Sequence, residues 1–324
     1  MMLKLLCYFL LISSFVSQAQ TTELKLASDI WPPFTNVEGE KSLALDLVKE
    51  ALSRIDITSS TKIADFSEVL LAIDRGEFDG SAAFWISPER EKKYVFSKPY
   101  LNNQLILVGR KGSMVKGISI ADLDSKRVGV VENYTYGDPK NSNVIIVEGK
   151  SDQKNLERLL SKQIDYMLVD ALLIQYMLKY QINDVTEHLE IGDTPFMIKP
   201  LHFALRKDII DVQRIMTLFD EEILEMIADG SYNTILELNW IKSDIDGDGK
   251  MELILQGDHA GTKEPMTAYS ILAEEANNQT MNNSYRYVID GQTYEGWENI
   301  PDKYKVKISP GQANPNNIGL VFSF

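Results

Sequence analysis

The sequence predicts an α/β protein of two or three domains with a small β-rich appendage at its C-terminal end. Three observations carry this reading. From Leu24 to Trp240, short strand-like and longer helix-like pieces alternate, the rhythm of parallel sheets with helices on both faces. The roughly 300 residues beyond an N-terminal leader suffice for several separate cores. After residue 240 the chain turns to Asn, Gly, Tyr and Pro, and no long helical pattern remains.

The leader, residues 1–19, reads as a secretory signal peptide. Lys4 gives a positive start, Leu5 to Val16 is an apolar run too short to span a bilayer, and Ser17-Gln18-Ala19 offers small residues to a signal peptidase. Cleavage is expected near Ala19. The single cysteine, Cys7, lies inside the run, so neither a lipoprotein anchor nor a disulfide is expected. The mature chain is expected to be soluble and exported. A formal charge of -14 argues against nucleic acid as a partner.

The elements follow in order. LKLAS (24–28) is a strand, and LALDLVKEALSRI (43–55) is a helix with Leu43, Leu47, Val48 and Ala51 on one stripe. SEVLLAIDRGEFDG (67–80) is a helix ending near Gly76, and GSAAFW (80–85) a buried strand leading into a site. SPER then opens a short helix. Ser87 is a good N-cap and Pro88 fits the first position, but the cation of Arg90 gains nothing from the exposed N–H groups there. NQLILVGRKG (103–112) is a strand and turn, RVGVV a strand, VIIV (144–147) another. SDQKNLERLLSKQ (151–163) is a helix capped by Ser151 or Asp152. IDYMLVD (164–170) is a strand and ALLIQYMLKY (171–180) a helix. LHFALRK after Pro200 is a strand, followed by a long helix ending at Gly230. MELILQG and YRYVIDG are short β pieces of the appendage.

An ordered set of stretches resembles the periplasmic solute-binding proteins of polar-amino-acid ABC importers (bacterial extracellular solute-binding proteins, family 3). They are WPPF (31–34), LALDLVKEAL (43–52), IDRGEFDGSAAFWISPEREKKYVFSKPY (73–100), RVGVVENYT (127–135), QIDYMLVD (163–170) and ADGSYNTI (228–235). The resemblance implies a two-lobed periplasmic-binding-protein fold with a hinge. Residues 20–109 with 198–240 would form lobe 1, residues 110–197 lobe 2, and residues 241–324 a C-terminal extension. A solute would bind between lobes that close over it.

The resemblance also implies roles. Arg90 would hold the α-carboxylate of an amino acid, for which the planar guanidinium is the best partner. The alternative is a surface salt bridge to Glu89 or Glu91. Asp170, at the carboxyl end of a strand, would hold the α-ammonium, or cap the helix behind it. Thr135 would donate its hydroxyl to the carboxylate, or serve an ordinary turn. Trp31 would stack on the ligand. The chain departs from the family where small hydroxyl residues are expected, since Ala82, Ala83 and Trp85 stand there. Trp31, Trp85, Tyr134 and Tyr136 form either an aromatic cleft or lobe packing.

DIDGDGKMEL is a second signal. Asp244, Asp246 and Asp248 alternate, Gly249 follows, the Lys250 carbonyl and the Glu252 carboxylate complete an oxygen set, and Leu255 stands where a full EF-hand has an acid. The expectation is a structural Ca2+; the alternative is a solvated acidic turn.

The function expected is capture of a small polar solute, an amino acid or related carboxylate, in the periplasm by a monomeric receptor serving an inner-membrane ABC permease. Two other classes stay open: a sensing module for a membrane receptor, and an enzyme resembling cyclohexadienyl dehydratases. The three histidines, His188, His202 and His259, fall in no matched site segment and have no zinc spacing, which disfavours the enzyme.

Overall fold

The computed structural model describes residues 22–136, 143–174, 185–192, 195–237, 240–244, 248, 250–255, 260, 269–270 and 285–305. The expected signal peptide, with Cys7, lies outside them, as do residues 175–180 of the helix expected after Asp170; residues 171–174 are helical. Among the described residues no helix is long and apolar enough to cross a membrane.

The first lobe is built on a parallel sheet. β1 (Thr22–Ser28) pairs in parallel with β2 (Ile57–Ile63) along its whole length and with β3 (Gly80–Phe84) on its other side. Parallel neighbours need crossovers, and α1 (Leu43–Arg54) and α2 (Phe66–Asp74) supply them. The stripe Leu43, Leu47, Val48, Ala51 of α1 is buried, as its spacing predicts. α2 stops short of Gly76, whose φ of +80° only glycine adopts cheaply.

Two long strands join the lobes. After the short β4 (Tyr94–Phe96), β5 (Leu101–Arg110) pairs through residues 101–105 with residues 197–201 of β10 (Met197–Arg206). Beyond that overlap the two strands part. Residues 202–206 of β10 enter the first sheet against β3 and β4. Residues 105–109 of β5 enter the second sheet against β8 (Tyr166–Asp170). The crossing therefore falls inside β5, and residues 106–109 belong to the second lobe's sheet, not the first lobe as the expected boundary has it.

In the second lobe β6 (Arg127–Val131) lies parallel to β7 (Ile145–Gly149) on one side and to β8 on the other. α4 (Asp152–Leu160) links β7 to β8. Ser151 caps it, its hydroxyl accepting from the Lys154 N–H at 3.2 Å. β9 (Leu189–Ile191) adds to β5. The chain then returns to pack the helices Val212–Ala228 and Ser231–Leu236 against α1.

A five-stranded sheet follows, with β11 (Trp240–Ser243), β12 (Glu252–Leu255), β13 (Tyr269–Ser270), β14 (Arg286–Ile289) and β15 (Gln292–Glu295) in the order β13-β11-β12-β14-β15. It starts at Trp240, one residue before the composition changes. Leu253, Leu255, Tyr287, Ile289, Ile300 and Tyr304 are its own core. Ile241 and Ile254 join the main core instead, and the Asn233 amide donates to the Ile254 carbonyl at 3.3 Å. The appendage is thus docked on the first lobe.

Candidate functional site

The carboxyl ends of five strands meet between the lobes, the place where α/β sheets bind ligands. Asp29 and Trp31 follow β1; Trp85 and Arg90 follow β3; Asn133 to Tyr136 follow β6; Asp152 follows β7; Asp170 ends β8.

Arg90 is set by the SPER segment. Ser87 accepts from the Arg90 backbone N–H at 3.3 Å and Pro88 opens the four-residue helix α3 (Pro88–Glu91), as the residue types predict. The Arg90 side chain turns inward and is only 8% exposed. Its Nη1 donates to the Trp85 carbonyl at 2.8 Å and its Nη2 to the Asn133 carbonyl, from the other lobe, at 3.0 Å. The guanidinium carbon lies 4.8 Å from the Phe84 ring centroid and 5.3 Å from that of Phe66. Loss of hydration lowers its pKa, with Tyr94, Tyr134 and Asp29 opposing. Among the described residues it makes no ion pair with Glu89 or Glu91, so the surface salt bridge weighed from sequence is not what the side chain does. A buried cation held only by neutral acceptors is a standing demand for an anion.

The aromatic residues do converge. Tyr134 lies 4.9 Å from Phe66, 5.3 Å from Trp85 and 5.5 Å from Trp31, all edge-on, and Trp85 lies 5.3 Å from Tyr136. Trp31 and Trp85 are both 5% exposed. The sequence left cleft and lobe packing as alternatives; the rings are both, a lobe contact made inside the cleft. The crevice that Asp29, Trp31, Phe66, Ala83, Trp85, Arg90 and Tyr134 enclose retains about 10 Å³, roughly one water.

Asp170 is buried, and its Oδ1 accepts from the Leu172 N–H at 2.7 Å. It therefore caps the segment behind it, the second of its two sequence-level roles. Burial pushes its pKa up to about 8, opposed by the bond from the Leu172 N–H and by the nearby Asn103 amide. Asn103 in turn accepts from the Trp85 indole N–H at 2.7 Å, which links Asp170 to the aromatic wall. Thr135 has a buried hydroxyl with no partner among the described residues. Tyr136 accepts from the Val131 N–H at 3.1 Å and also lines an apolar cavity of about 120 Å³ in the second lobe.

Two further carboxyls and a lysine complete the surroundings. Asp29, partly buried, accepts from the Tyr134 hydroxyl at 2.7 Å; burial raises its pKa to about 6. Asp152 is raised to about 7 by desolvation and then by the charge of Asp29. The Lys199 ammonium lies 5.5 Å from the Trp85 ring centroid, its pKa lowered by desolvation and by Arg90. Sequence reasoning missed Asp29, Asp152, Lys199, Asn103 and Phe66. Asp29 leaves at most a weak signal, an acid at the carboxyl end of the first strand two residues before Trp31, where an acid also has an ordinary local use.

Of the acidic loop, Asp246 and Gly249 lie outside the described residues. Arg286 donates to Asp248 at 2.8 and 3.0 Å and also pairs with Glu252, which is buried. Two of the five residues expected at calcium, Asp248 and Glu252, thus share a guanidinium. Among the described residues no three His, Cys, Asp or Glu cluster in metal-binding geometry.

Residues 24–243 match the model of the bacterial extracellular solute-binding proteins, family 3. The L-cystine-binding protein TcyJ of Escherichia coli strain K12 is 26% identical over 222 residues, 66% of this chain and 80% of that one. The ABC transporter arginine-binding protein 1 of the same strain is 24% identical over 245 residues, 72% of this chain and 97% of that one. Among solved structures, a periplasmic binding protein of an arginine transport system from Legionella pneumophila superposes with a TM-score of 0.57 at 21% identity, covering 66% of this chain and 98% of that one. The matched length ends with β11, the first strand of the five-stranded sheet.

Proposed function

Because the chain belongs to family 3 of the bacterial extracellular solute-binding proteins, we propose that its interlobe cleft captures an α-amino acid or a closely related carboxylate for uptake by an ABC permease of the inner membrane. The observation that supports the amino-acid reading is Arg90. It is a buried guanidinium whose described hydrogen-bond partners are two carbonyl oxygens, one from each lobe. A carboxylate entering there replaces neutral acceptors by a charged, bidentate one, and charge-assisted bonds are about twice as strong. The Asp170 carboxyl, with one buried oxygen that has no partner among the described residues, would ionise to meet the ammonium, and the Thr135 hydroxyl, likewise without a described partner, supplies a further donor. The names of the arginine- and cystine-binding relatives point to the same class of solute.

The test is a thermal-shift screen of the purified chain against the proteinogenic L-amino acids, L-cystine and simple carboxylates. Ligand at 100 times Kd stabilises by about 2.7 kcal/mol, or roughly 5–10 °C for a domain of this size. Arg90→Ala is expected to abolish the shift. Arg90→Lys, which keeps the charge but loses the fork, is expected to weaken it strongly. A screen without any shift from an α-amino acid would overturn this reading.

A further inference from the structure

The strongest unexplained feature is the position of Asn133 and Tyr134. They belong to the second lobe, yet their partners are first-lobe groups of the binding cleft. The Asn133 carbonyl accepts from Arg90, and the Asn133 amide donates to the Ser67 hydroxyl at 3.0 Å. Asn133 holds a left-handed backbone, φ +62°, which asparagine tolerates better than most residues and which turns that carbonyl toward Arg90. The Tyr134 ring fills the space between Trp31, Phe66 and Trp85, and its hydroxyl donates to Asp29. An oxygen on the guanidinium, a flat body among the rings and a donor on the far carboxylate are together what a bound solute would present.

We propose that Asn133-Tyr134 is a tethered surrogate ligand, which holds the lobes together in the absence of solute and must be displaced for solute to bind. This rests on the reading of the cleft as the solute site. It also narrows the solute. The displacing molecule carries an acceptor for Arg90, a flat or apolar middle for the three rings and a hydrogen-bond donor for Asp29. A side chain that ends in an acid or in bare hydrocarbon meets Asp29 without a donor. A phenol or a guanidinium satisfies all three.

The surrogate imposes a tax on affinity, since solute binds only the fraction of molecules with the cleft vacated. With that fraction at 1–10%, removing the ring tightens binding about 10- to 100-fold. The variants are Tyr134→Ala and Tyr134→Phe. Tyr134→Phe keeps the ring and removes one hydrogen bond, which corresponds to about a fivefold gain. Small-angle scattering in solute-free buffer reads the lobes directly, and titration with L-arginine and L-tyrosine, against L-glutamate and L-leucine as controls, reads affinity. The expected result is a larger radius of gyration for Tyr134→Ala than for the parent chain, with tighter L-arginine or L-tyrosine binding in the order Ala, Phe, parent. An unchanged radius would overturn the proposal. So would weaker binding in both variants, which would make Tyr134 a stacking partner of the solute. A Tyr134→Ala chain that opens while neither variant binds any amino acid leaves the surrogate standing and removes the amino-acid reading.

Discussion

Asp170 shows how one residue converts burial into a measurable property of binding. Its carboxyl is buried at the end of β8 and its pKa stands at about 8, against an ordinary 3.8. At pH 7 it is mainly neutral. An ammonium placed beside it favours the ionised form, so binding an amino acid is coupled to loss of a proton, up to about one per site. Calorimetric titration at pH 7 in phosphate and in Tris should therefore give binding enthalpies that differ with the buffer's ionisation enthalpy, and affinity should rise from pH 6 to 8 by at most tenfold per unit. Asp170→Asn should weaken both dependences, leaving only the part that Asp29 and Asp152 contribute. Equal enthalpies in the two buffers would show that the ammonium sits elsewhere. At this scale the sequence was partly legible. Arg90 stood out because a cation in the first turn of a helix serves no local purpose. Asp29 and Asp152 did not stand out, because an acid after a strand or at a helix start has an ordinary local use. Their cleft roles come from contacts across the lobes, which no local pattern encodes. Arg286 belongs with them: it lies 38 residues from Asp248, with which it pairs, so no local pattern in the acidic loop reveals it.

Among the elements, β3 and β10 approach so closely that one position is reserved for glycine. A Cβ on Gly80 would lie 1.9 Å from the Ala204 carbonyl oxygen of β10, so only glycine fits the register in which Leu205 faces it. Here the requirement is space, not an unusual backbone angle. Gly80→Ala is expected to push β10 off the sheet and cost about 1–3 kcal/mol, occasionally more. Since β10 is one of the two strands that cross between lobes, a loss of Tm by several degrees should be accompanied by weaker solute binding; thermal melts and titration of the same variant check both. An unshifted Tm would mean that the sheet yields there freely. The elements that sequence reasoning recovered carry an apolar stripe or run, as α1, α4, β5, β8 and the long helix Val212–Ala228 do. Those it missed carry little such signal. β2, ITSSTKI, lies at the edge of the first sheet and is mostly Ser, Thr and Lys outside its ends, with Ile57 its one fully buried residue. β4 and β9 have three residues each and exist because a longer strand beside them offers hydrogen bonds.

For the molecule as a whole, the cleft sets the dependence of stability on pH. Asp29 in the first lobe and Asp152 and Asp170 in the second have pKa values raised to about 6, 7 and 8, each chiefly by burial, and Asp220 on the long helix is raised to about 6 for the same reason. In the unfolded chain all four titrate near 3.8. Between about pH 4 and pH 8 the folded protein therefore holds protons that the unfolded chain has released, and stability must fall as pH rises through that window. The opposite cases are Asp165, held at about 2 by Arg127, whose contribution is lost only as pH falls below about 4, and His202, whose ring is held below its ordinary 6.5 by burial, so that its contribution grows as pH rises toward that value and offsets part of the carboxyls' decline. The solute-free protein should thus be most stable near pH 4–5 and lose Tm steadily toward pH 8. Asp152→Asn or Asp170→Asn should flatten the decline over the upper half of the window, because an amide stays neutral throughout. A saturating amino acid should flatten it too, since its ammonium stabilises ionised carboxylates, as the cleft closed on Tyr134 does not. Scanning calorimetry of the three proteins from pH 4.5 to 8.5, with and without L-arginine, separates these effects. A Tm that rises over this range in the solute-free protein would mean that the carboxyls are solvated, and that the lobes stand apart rather than closed on Tyr134.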